Sequence, residues 1–346
     1  MTASSNARSD GTAAERDAGD AGDAGDAGDT EDAGDAGDAG DAGDAGDVED
    51  TEDADDTEDA EDAEDVEFRH ELLARVRLAD LLVLAAAPAV LGAVFALPES
   101  TRRSLAFAYT DPTVLTAFTA HYVHLDASHL AGNVAGYGIL AGVGYALAVV
   151  AGYRRFFMVS LATFLLAFPF ALSALNLAVP RNAIGFGFSG VNMALSGLLP
   201  LLVGVYARER FFPRASIRAL PAVFFPLVGW MALLALPVSL GTLDGPGLAG
   251  LATAVAGLLL GLLYASSTGI RLRTALRDTV RAAVSNPGDG DLFAVGIALV
   301  VGYPIVGFPG DPTGEGSVVN LYVHLLGFCL AFIGPFALLA VGAFEE

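Results

Sequence analysis

The chain has 346 residues, a formal net charge of −23, 53% hydrophobic residues and a mean hydropathy of +0.53. A soluble domain of this size rarely reads so apolar, so composition excludes an ordinary water-soluble enzyme and selects a polytopic, all-α membrane protein. The charge is local: 27 of the 41 acidic residues fall within residues 1–67, opposed there only by Arg8 and Arg16, and no nucleic-acid partner is expected.

That N-terminal stretch repeats Ala-Gly-Asp from about Ala18 to Asp47 and turns Glu/Asp-rich up to Glu67. Glycine at every third position is the collagen period, but the stretch has no proline, which excludes a triple helix. High charge with few apolar residues cannot offset ordering entropy, so 1–67 is expected to be a disordered acidic arm and 68–346 the transmembrane domain. No secretory signal is expected, because the first apolar run begins near Leu78. All 18 basic residues are arginine; with so much aspartate this points to a halophilic, GC-rich source. Cys329 is the single cysteine, which rules out an intrachain disulfide.

A helix needs about 20 apolar residues to cross the hydrocarbon. Eight windows qualify: roughly 79–97, 124–150, 156–179, 189–206, 218–240, 246–267, 291–310 and 318–343. With eight spans, Arg69, Arg75, Arg77, Arg154, Arg155, Arg208, Arg210, Arg214, Arg218, Arg271, Arg273, Arg277 and Arg281 share one face. Only Arg102, Arg103 and Arg181 fall on the other. The positive-inside rule then places both termini in the cytoplasm of a multi-pass cell-membrane protein.

Within these windows sit polar residues that lipid would not tolerate without a purpose. The second carries His124, His129 and Asn133; the fourth opens Gly187-Phe188-Ser189-Gly190; the last carries His324-Leu-Leu-Gly327. On the expected topology all descend from the outer face. A serine is a weak nucleophile until a base accepts its proton, and His324 is a candidate base for Ser189. His129 and Asn133, four residues apart, share a helix face and supply candidate oxyanion donors. The Ser189 N–H at a helix start is another, and Gly187 permits close backbone approach. Small residues after the serine (Gly190, Ala194, Gly197) and after the histidine (Gly327, Ala331) would let the two helices pack tightly. Ser173 and Ser196 are expected to back-bond to their own helices, His121 and His70 to be interfacial, and Asn176, Asn192 and Asn320 to bridge helices.

The pattern His124-x4-His129-x3-Asn133, Gly187-x-Ser189-Gly190, His324-x-x-Gly327 resembles the rhomboid intramembrane serine proteases over approximately residues 79–346. The resemblance implies a Ser189–His324 dyad and oxyanion assistance from His129 and Asn133. It also implies that His124 helps hold a hydrated site, and that Asp126 is a loop-edge residue rather than a third triad member. It implies membrane-protein substrates with a transmembrane helix, cleaved near the outer face at an unwound, small-residue segment, with the lipid bilayer as medium and no metal or cofactor. The family's six-helix core has one span between the serine and histidine helices, whereas here 135 residues and three spans intervene. The windows 218–240 and 246–267 are the expected additions. Many members carry a Trp-Arg pair in the first outer loop; the loop here, roughly 98–123, has Arg102 and Arg103 without a tryptophan. An inactive rhomboid-like protein that binds client transmembrane helices is the alternative; a polar channel is weaker because it gives the glycines around Ser189 no use, and a metal or haem site because no HExxH motif is present.

Overall fold

The computed structural model describes residues 66–179, 182–236, 245–269, 272–309 and 320–344. The acidic arm expected over 1–67 lies outside them up to residue 65, as do Arg181 and Arg271. Val66 and Glu67, assigned to the arm by composition, already lie in a helix, α1, over 66–75.

Long runs of Ala, Leu, Val and Gly have one stable form in hydrocarbon, the helix, which satisfies its own backbone. Among the described residues, seven helical stretches are long and apolar enough to cross a membrane: α2 (Leu78–Phe95), α5 (Ala127–Val150), α8 (Ser189–Arg210), Ile217–Ala235, α10 (Gly245–Ser267), α12 (Asp289–Gly307) and α13 (Leu321–Ala340). The fourth of these is a 3₁₀ turn, Ile217–Ala219, leading into α9 (Pro221–Ala235). The chain is thus a multi-pass helical membrane protein. The window expected as a span over 156–179 holds two helices, α6 (Arg154–Leu166) and α7 (Phe168–Asn176), bent by 48°. Pro169 lies in the first turn of α7, where a missing N–H and the bulk of the ring cannot continue α6.

Serine helix α8 is the axis of the bundle. Its apolar window is 89% buried inside the protein, against 17% for α2 and 22% for α10. Its Ser, Asn and Gly residues suit contact with other helices rather than with lipid, and belong at such a centre. Lipid is as apolar as leucine, so what holds helices to it is close van der Waals approach. Small residues provide that approach against α13. A Cβ on Gly327 would collide with the Gly190 carbonyl, and one on Gly197 with the Phe328 carbonyl. Ala194 and Ala331 are fully buried in the same seam. The two helices expected as additions, α9 and α10, form a hairpin through glycines of their own. Cβ atoms on Gly261 and Gly229 would meet the Ala222 carbonyl at 2.7 Å and the Ala254 Cα at 2.9 Å.

Short elements the sequence left as loop organise the rest. After α2 come α3 (Glu99–Ser104), β1 (Phe107–Ala108) and α4 (Val114–Thr119), the last started by a Thr113–Thr116 capping box. β1 pairs antiparallel with β2 (Ile184–Gly185), with Phe107 opposite Gly185, which fastens the first loop to the segment ahead of Ser189. Arg102 anchors that loop without a tryptophan: Nη1 donates to the His124 carbonyl at 2.6 Å and the guanidinium lies 4.5 Å over the Phe95 ring. A further helix, α11 (Leu272–Val284), is amphipathic and links α10 to α12.

Ion pairs gather at the other end of α8. Arg154 donates to both oxygens of buried Asp80 at 2.5 Å, and Tyr145 donates to the same carboxylate at 2.7 Å. Arg210, in the last turn of α8, grips Glu71 of α1 at 2.9 and 3.0 Å and Asp289 of α12 at 2.6 and 3.0 Å. Charges taken out of water persist only when paired in this way.

The glycine seam makes a testable demand. Gly197→Ala should destabilise by about 1–3 kcal/mol through overpacking, whereas Gly138→Ala, whose added methyl meets nothing within 4 Å, should be near neutral. Apparent melting temperatures in detergent would compare them; equal values would remove the seam from the account.

Candidate active site

Ser189 is the first residue of α8, and the chain reaches it through Gly187 at φ +112°. A side chain at Gly187 would be strained by that φ and would strike the His129 ring, 2.8 Å from the nearest carbon. Glycine is therefore required there twice over. No side chain caps α8, so its first backbone amides, Ser189 N–H among them, have no partner within the helix.

His324 sits one turn into α13, started by Asn320 as N-cap, whose Oδ1 accepts from Val323 N–H at 3.3 Å. His324 Nε2 lies 2.8 Å from Ser189 Oγ, and Nδ1 lies 2.6 Å from the Gly307 carbonyl. A carbonyl only accepts, so Nδ1 carries the proton and Nε2 accepts the hydrogen bond from the Ser189 hydroxyl. Glycine contacts set this distance: Gly190 follows the serine directly, and Gly327 lies three residues past the histidine.

The supporting residues come from the start of α5. Asp126 caps it, accepting from His129 N–H at 2.9 Å; it makes no contact with the dyad. His124 precedes the helix and is fully buried. Its Nε2 accepts from Asn133 Nδ2 at 3.1 Å and from Phe188 N–H at 3.4 Å, so it braces both Asn133 and the turn before Ser189. Asn192, one turn into α8, donates to Asn133 Oδ1 at 3.2 Å and to its backbone oxygen at 2.9 Å, which fixes which way the Asn133 amide faces. The second Asn133 hydrogen points at the His129 carbonyl, 3.1 Å away. The His129 ring stacks edge-on against His124 with centroids 5.0 Å apart, and among the described residues none hydrogen-bonds its ring nitrogens.

Ser189, His324, His129, Asn133 and Gly187 line one cavity of about 380 Å³. It opens where α5, α8 and α13 begin and α12 ends. His124 lies behind this wall, while Gly190, Ala194, Gly327 and Ala331 lie in the helix seam beneath it.

Sequence reasoning missed part of the wall. His121, expected at the interface, is buried with Nε2 3.1 Å from Ser173 Oγ. Ser173 does not back-bond: its hydroxyl donates to the Ala117 carbonyl at 2.8 Å, across to α4. Ser196 is also buried, and its hydroxyl has no partner among the described residues. Asn176 and Asn320 bridge helices as expected, joined at 3.2 Å and meeting at the Tyr109 hydroxyl. Tyr109 and Gly307 carried no usable signal: a loop tyrosine is common, and a backbone carbonyl has no letter in a sequence. Among the described residues no three His, Cys, Asp or Glu side chains gather as metal ligands. Compared with family models, curated proteins and solved structures, the chain matches none.

Asp126 supplies a pH test. The Ser128 hydroxyl and then the His129 N–H hold its carboxyl below the usual aspartate value of about 4. A depressed value means the cap stabilises above that range and is lost as pH falls through it. Asp126→Ala should lower the melting temperature at pH 7, with the gap from wild type closing below about pH 4; a gap independent of pH would deny the carboxylate this role.

Proposed function

We propose that the chain is an intramembrane serine endopeptidase of the rhomboid type, cleaving membrane proteins within or beside a transmembrane helix. The observation that carries this is the 2.8 Å approach of Ser189 Oγ to His324 Nε2 inside one cavity, from positions 135 residues apart. A nucleophile, a base with its far nitrogen held, and unpaired donors beside them are the requirements for acyl transfer.

His324 takes the Ser189 proton as Oγ bonds to the substrate carbonyl carbon. The resulting oxyanion is met by the Ser189 N–H, His129 and the Asn133 amide, which turns one hydrogen from its resting partner. His324 then protonates the departing amine and the C–N bond breaks. In the second half His324 deprotonates a water whose oxygen attacks the acyl carbonyl carbon; the C–Oγ bond then breaks and His324 returns the proton to Ser189 Oγ. His124 and Asn192 hold the donor Asn133 in place.

The reading extends to topology. Counting α6 and α7 as one bent span gives eight, with the arginine-rich ends cytoplasmic, both termini inside and the cavity opening outward. The α9–α10 hairpin would be the addition to a six-helix core, since its glycine contacts are made within the pair rather than with α8.

Ser189→Ala and His324→Ala should each abolish cleavage of a labelled single-span substrate by purified protein. Asn133→Ala should lower turnover by roughly 10²–10³. A fluorophosphonate should label wild type and not Ser189→Ala. Wild type that resists the probe yet still captures transmembrane helices would instead favour a client-binding protein without activity.

A further inference from the structure

A histidine base works only when its far nitrogen is held, and serine hydrolases commonly give that task to a carboxylate. No carboxylate among the described residues hydrogen-bonds His324. Its Nδ1–H instead meets the carbonyl of Gly307, in the last turn of α12. The last four carbonyls of a helix lack intrahelical partners, and they form the negative end of its dipole. A buried carbonyl of this kind is a strong acceptor and faces the charge that develops on the ring as it takes the serine proton.

Two neighbours make the arrangement specific. Gly307 is wedged against α8: a Cβ there would lie 2.5 Å from Sδ of buried Met193, so any larger residue must displace that side chain or push α12 back from the imidazole. Phe308, the next residue, is buried and packs edge-on to the His324 ring with centroids 6.0 Å apart. Hydrogen bond and ring contact together leave the imidazole one orientation, with Nε2 toward Ser189.

We infer that the C-terminus of α12, through the Gly307 carbonyl, is the positioning element of the dyad and does for His324 what a third carboxylate does elsewhere. The dyad and its support are therefore assembled from three helices, α8, α12 and α13. This inference rests on the protease reading for its consequence in turnover, but its geometry can be read without any substrate.

The test has two arms. In wild-type protein labelled with [15N]histidine and placed in liposomes, the signal lost in His324→Gln should show protonated Nδ1 and bare Nε2. A neutral ring protonated at Nε2 would overturn the proposal even in an inactive protein. In the kinetic arm, Gly307→Ala, which drives a methyl into Met193, should lower kcat at least tenfold while KM stays within about twofold. The same substitution in Met193→Ala protein, where space has been made, should cost less than about threefold relative to Met193→Ala alone. Gly307→Ala turning over within twofold of wild type, or an equal loss in both backgrounds with the Nδ1–H signal unchanged, would sink it. If wild type neither cleaves nor takes a fluorophosphonate, the protease reading fails, and the nitrogen spectrum still decides the Gly307 contact.

Discussion

The backbone-to-backbone contact between α8 and α13 is the constraint from which the site follows. Helices in lipid gain little from burying apolar surface against each other, so their separation is decided by how near the main chains can come. Gly327 resting on the Gly190 carbonyl and Gly197 on that of Phe328 bring these two nearly to the limit. Ser189 and His324 sit one and three residues from that seam. Their 2.8 Å separation is thus inherited from packing rather than imposed by the hydrogen bond between them. A single hydrogen bond, worth about 1 kcal/mol net, could not hold apart or together two helices that packed otherwise.

Close approach fixes distance but not height, and two polar networks supply the vertical register. At the cavity end, Asn192, Asn133, His124 and Phe188 N–H run as one chain from α8 through α5 to the turn before the serine. Beside it Asn320 and Asn176 join the start of α13 to the end of α7. At the far end, Arg210 ties α8 to α1 and α12, and Arg154 ties α6 to α2. Each helix that touches the cavity is therefore pinned at a known height, and although His124 Nδ1 and Asn192 Oδ1 find no partner among the described residues, the bonds that are made favour one arrangement over its slipped neighbours.

Much of this was legible in the sequence because the bilayer imposes simple rules. Apolar length gave the spanning helices, and the rarity of His, Asn and Ser in such windows singled out residues that line the cavity. The glycines after Ser189 and His324 announced the seam. What escaped notice was decided by tertiary contact. The 48° break between α6 and α7 was hidden because Pro88, Pro200 and Pro226 are all accommodated inside other helices, so Pro169 alone was no signal. His121 and Ser173 looked like strays because their partner lay 52 residues away. Short helices such as α3 and α4 fall below the length at which periodicity can be read, although the threonine pair at the start of α4 was a visible cap. Gly307 was beyond reach, since the group that matters belongs to the peptide unit.

The arginine clamp at the base of α8 bears on the medium in which such a chain can work. Exposed charge pairs fade as ionic strength rises, because the screening length shrinks to about 3 Å at 1 M. A guanidinium that meets two carboxylates face to face, half withdrawn from water, holds them at contact distance, inside that length. Lysine presents a single hydrated point of charge and could not replace that planar grip. A protein built with arginine alone, stapling its helices by such forks, should keep its frame in brine that would dissolve the surface ion pairs of an ordinary protein.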